Sequence, residues 1–95
     1  MNFEAFPGHH LIEQGLHDLS AQSETIPALL VAIGAPRLTR LGIPVPDHAI
    51  SQPEIRLYRE LQKSDPDGAH SRYNALIRTL VSFERAAECA SSMSS

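Results

Sequence analysis

Apolar residues recur along the chain at helical spacings. Ile12, Leu16 and Leu19 fall at i, i+4 and i+7 after Pro7-Gly8. That spacing predicts a helix from about His9 or His10 to Ala21 with one buried stripe. Gly15 lies beside the stripe, where a glycine costs helix stability and lets another helix approach closely. A second helix follows Thr25, a candidate N-cap, with Pro27 in its first turn. Its body, Ile26 to Ile33, is apolar all round, which predicts a buried, central element. Gly34 reads as its end. Pro36 then opens a short third helix to Leu41, and Gly42 stops that one.

Ile43-Pro44-Val45-Pro46 reads as extended, because proline fixes its own φ and restricts the residue before it. Ser51 and Glu54, three apart with Pro53 between them, read as a capping box opening a helix over about 52–63. Asp65-Pro-Asp-Gly68 is a turn. A long last helix is expected from Ala69 to Ala90, because Ala69, Tyr73, Leu76, Leu80, Phe83 and Ala87 recur at i+3 and i+4. Its apolar arc is widened by Ile77 and Val81. No segment alternates at period two for long enough to be a strand. The fold class expected is all-α: a compact bundle of four to five helices with a long C-terminal helix. Residues 1–90 form one domain in this reading, and the serine-rich 91–95 a disordered tail.

Composition narrows this further. A chain of 95 residues with 42% hydrophobic and 20% charged side chains is apolar enough to fold. It is also small enough for self-association to help it. One cysteine excludes an internal disulfide framework. The first ten residues have neither a basic nor an apolar leader region. The longest apolar run, Ala28 to Ile33, is far short of a membrane span of roughly 20 residues. A cytoplasmic protein without membrane contact is the expectation. The net charge of −3 hides an uneven distribution. Residues 1–35 carry four acids and no Lys or Arg, whereas residues 36–63 are net +2. The two parts can attract one another within a chain or between chains.

Four features carry candidate chemistry. His10, Glu13 and His17 share one side of the first helix and are metal-ligand types. The two histidines stand two turns apart, however, roughly 10.5 Å along the axis, so one ion hardly reaches both. Thr25 to Leu41 reads as a helix-turn-helix whose second helix presents Arg37, Thr39 and Arg40 to nucleic acid. That second helix is short, and the first lacks polar residues to cross a phosphate backbone. Arg56, Arg59 and Lys63 form a basic stripe on the fourth expected helix. Glu84 falls inside the apolar arc of the last helix and needs a cationic partner such as Arg56 or Arg59.

There is no glycine-rich phosphate loop, no paired-carboxylate signature and no cysteine or triad motif that would indicate an enzyme. The expectation is a non-enzymatic protein–protein interaction or regulatory module without cofactor. It would form a homodimer through Ile77, Val81 and Glu84, with Arg56 and Arg59 at the contact. A helix-turn-helix DNA binder is the first alternative, and a metal- or small-ligand-binding domain the second.

Overall fold

The computed structural model describes residues 5–93, with side chains to Ala90. It is a bundle of four helices: α1 (His9–Ser20), α2 (Ile26–Arg40), α3 (Pro53–Ser64) and α4 (Ala69–Met93). No strand occurs among the described residues. The last helix runs on to Met93, into the segment expected to be a tail; Ser94 and Ser95 lie outside the described residues.

α2 is central because it has no polar face to offer water. Ala28, Leu29, Leu30, Val31 and Ala32 are all buried. α1, α3 and α4 all pack on it, and α3 and α4 also pack on each other. Thr25 caps it, its Oγ1 accepting from Ala28 N at 3.2 Å. The same hydroxyl donates to Asp18 Oδ2 at 2.6 Å. That bond, first among several causes, holds the Asp18 carboxyl below its ordinary pKa.

The expected break at Gly34 is absent. α2 continues as one helix through Gly34 and Pro36 to Arg40. Gly34 is a close-approach residue instead: a Cβ there would sit 2.8 Å from Leu80 Cδ1 and 3.2 Å from Glu84 Oε2. Burial against α4 outweighs the hydrogen bond that Pro36 removes from the helix interior. With no turn between Ile26 and Arg40, the helix-turn-helix expected over Thr25 to Leu41 does not form, and Arg37, Thr39 and Arg40 lie in the last turns of a core helix. Its true end is Gly42, at φ 88°. Gly42 N donates to Thr39 O and Ile43 N to Leu38 O, each at 3.0 Å. This is a Schellman ending whose apolar contact joins the buried Leu38 and Ile43.

α3 also starts differently from the sequence expectation. Gln52 is the N-cap, in the left-handed region at φ 52°, with no side-chain capping bond. Pro53 takes the first helical position, which puts Glu54 second instead of third. Ser51 is therefore one residue too early to form the capping box. Ser51→Ala is expected to change stability by less than about 0.5 kcal/mol, the usual range for an exposed site. A loss of a full kilocalorie in urea melts would restore the capping role. At the next turn, Gly68 N donates to Asp65 Oδ1 at 3.0 Å, and Gly68 O accepts from Arg72 N as α4 begins.

Candidate functional site

α4 is twice as long as its hairpin partner α3, with 25 residues against 12. At 1.5 Å per residue that is roughly 37 Å against 18 Å, so α3 can flank only part of it. Leu80, Phe83 and Ala87 point into the core and are buried. Phe83 meets Phe6 edge-on, ring centroids 5.5 Å apart. On one edge of this buried stripe Tyr73, Ile77 and Val81 follow at i, i+4 and i+8, all only half-buried. Tyr73 and Ile77 pack against the core, whereas Val81 is not part of that packing among the described residues.

The near end of this ridge continues into a shallow groove between α3 and α4. It has a volume of about 420 Å³ and is lined by Glu54, Ile55, Tyr58, Arg59, Gln62 and Tyr73. Tyr58 and Tyr73 meet edge-to-face at 5.7 Å. Burial, with Glu54 adding its charge, raises the Tyr73 hydroxyl above its ordinary pKa. Ile55, 45% exposed, is the only large hydrophobic residue exposed among the described residues. Sequence reasoning missed it. The available signal was its place two residues from Leu57, about 200° round the helix and off the apolar stripe.

Glu84 is buried, as its place in the arc implied, with 4% exposure. Its partner is neither Arg56 nor Arg59. Arg37 Nη1 stands 3.8 Å from Glu84 Oε1, while Arg37 Nη2 donates to Glu88 Oε2 at 2.6 Å. The guanidinium thus ties the last turns of α2 to α4 within one chain. Burial raises the Glu84 carboxyl above its ordinary 4.5, and Arg37 opposes the rise only in part. A raised folded-state pKa means that the folded chain holds this proton more tightly than the unfolded one. The contribution is favourable below the unfolded value and is lost as pH rises through the folded one. Glu84→Gln is therefore expected to gain stability on the wild type as pH rises from about 4 to about 8. Paired thermal melts check this; a constant or shrinking difference would count against it.

Arg56 is bound by Glu24 Oε1, and Lys63 by Glu60 Oε1 at 2.9 Å. The acidic first third and the basic middle do meet at Glu24 and Arg56, but inside the chain. His10, Glu13 and His17 are all exposed. The ring of His10 lies 3.9 Å from that of His9. Among the described residues no group of three or more His, Cys, Asp or Glu is placed to hold a metal ion. No helix among them is long and apolar enough to cross a membrane. Comparison with protein families, curated proteins and solved structures finds no match to this chain.

Proposed function

We propose that the chain is a protein–protein interaction module, acting by docking without catalysis, and that its first partner is a second copy of itself. The observation that carries this is the apolar ridge Tyr73-Ile77-Val81, only half-buried, with Val81 outside the core packing of the described residues. The bundle is elongated, 44 × 26 × 19 Å, because α4 outruns its neighbours. A standard interface takes roughly 800 Å² from each partner. The ridge, Ile55 and the rings of Tyr58 and Tyr73 would supply the apolar part of it, with Glu54, Arg59 and Gln62 beside them. A two-fold axis across α4 lays each ridge on the other, an isologous contact.

In this reading Glu84 needs no cation from the partner, since Arg37 already stands beside it. It flanks the contact instead of anchoring it. The expected result is a dimer by light scattering for the wild type. Val81→Glu is expected to be monomeric with unchanged helix content, since a carboxylate at the contact would be buried unpaired. Glu13→Lys, on the exposed side of α1 and away from the ridge, should leave the dimer intact. A wild-type protein that stays monomeric at high micromolar concentration overturns the reading.

A further inference from the structure

The basic side of α3 faces a second concavity, which shares only Arg59 with the groove beside Tyr58 and Tyr73. A groove of about 230 Å³ is lined by Arg56, Arg59 and Lys63, with Leu29 of α2 as its apolar wall and Glu24 and Glu60 at its edges. Two of the three cations have acidic partners, Arg56 with Glu24 and Lys63 with Glu60. Arg59 has no ion-pair or hydrogen-bond partner among the described residues. Glu24 is a half-exposed residue on the segment between α1 and α2, and its carboxylate already sits on Arg56. The groove thus holds an anionic group from its own chain, on a side chain about half exposed to solvent.

We infer that this groove binds a phosphate group carried by a small molecule, which takes the place of Glu24 on Arg56 and engages Arg59. The chemistry favours phosphate over a simple carboxylate. Displacing Glu24 leaves two guanidinium groups for one ligand, and a phosphate ester carries about two negative charges near neutral pH to meet them. Guanidinium forks pair bidentately with phosphate oxygens, and Lys63 adds a point charge at the edge. The volume lies below the roughly 300–1,000 Å³ of drug-sized sites, which suits a phosphate with only a few further atoms.

The test is an amide NMR titration of the full chain with inorganic phosphate, at constant ionic strength against chloride. Saturable shifts at Glu24 to Leu29 and at Arg56 to Lys63 are expected. Arg59→Ala should weaken binding about tenfold or more, as the loss of a charge-assisted bond requires. Glu24→Gln should tighten it by removing the resident competitor, and Arg78→Ala, exposed on α4, should leave it unchanged. Sedimentation with phosphatidic acid vesicles separates the two sources of phosphate. Capture that free phosphate reverses assigns a lipid headgroup, and no capture with the amide response retained assigns a soluble ligand. Shifts no larger than those with chloride, an equal response to acetate, or binding indifferent to Arg59→Ala overturns the proposal.

Discussion

Leu30→Ala is expected to cost about 2–5 kcal/mol, the range for deleting a fully buried leucine side chain. Leu30 has 0% exposure and sits near the middle of α2, the helix on which the other three pack. The core cluster it belongs to draws on every helix, including Ile12 of α1, Leu57 and Leu61 of α3, and Leu80 and Phe83 of α4. A cavity at the centre of such a hub cannot be closed by one helix sliding inward, because each helix is already seated against another. Gly15 and Gly34 already hold α1 and α4 at close range, which leaves little room for collapse. Against a total of about 5–15 kcal/mol for ordinary domains, the loss is large enough to populate unfolded chain at room temperature. Urea melts measure it. A midpoint within error of the wild type would show that α2 is peripheral.

What the sequence made legible follows from how local each signal is. The apolar run Ile26–Ile33 identified the central helix because no arrangement of that segment offers a polar face to solvent. Gly42 marked the true helix end because the residue that closes α2 takes a positive φ, and glycine does so without strain. Gly34 and Pro36 misled because their helix-breaking tendencies are local. The force that overrides them, the packing of Leu80 and Glu84 onto Gly34, comes from a segment about fifty residues away. The capping box failed by a single residue. Pro53 fixes the first helical position, and Gln52 bears the left-handed conformation at a cost of about 1 kcal/mol that no pattern displays.

The candidate site shows the same division. Burial of Glu84 was readable from its angular position on α4, since that depends on one helix alone. Its partner was not, because the choice among Arg37, Arg56 and Arg59 depends on how α2 and α3 lie against α4. The ridge of Ile77 and Val81 was visible as the excess width of an apolar arc. The groove beside it was not, since it needs Tyr58 and Tyr73 brought together from two helices.

Gly15→Ala sets two effects of opposite sign against each other and shows which governs the α1–α2 contact. Helix propensity alone predicts a gain of about 1 kcal/mol, because alanine restricts the unfolded chain and glycine does not. Packing predicts the reverse. A Cβ on Gly15 would lie 2.8 Å from the Pro27 carbonyl carbon, with the carbonyl oxygen and Val31 Cγ2 also in the way. Pro27 is backbone in the first turn of α2, held there by the Thr25 cap, so it cannot rotate aside as a long side chain would. The helices must separate, and separation unseats Ile12 and Leu19 from the core they share with Leu30 and Val31. Overpacking of this kind costs about 1–3 kcal/mol, more than the propensity gain returns at the upper end. Gly15→Ala is therefore expected to be destabilising, and Gly15→Val more so, because the branched side chain enlarges the collision and loses helix propensity as well. Thermal melts of both variants decide it. If Gly15→Ala is more stable than the wild type, the close approach of α1 to α2 is not a constraint on the fold, and Gly15 is only a weak point in its helix.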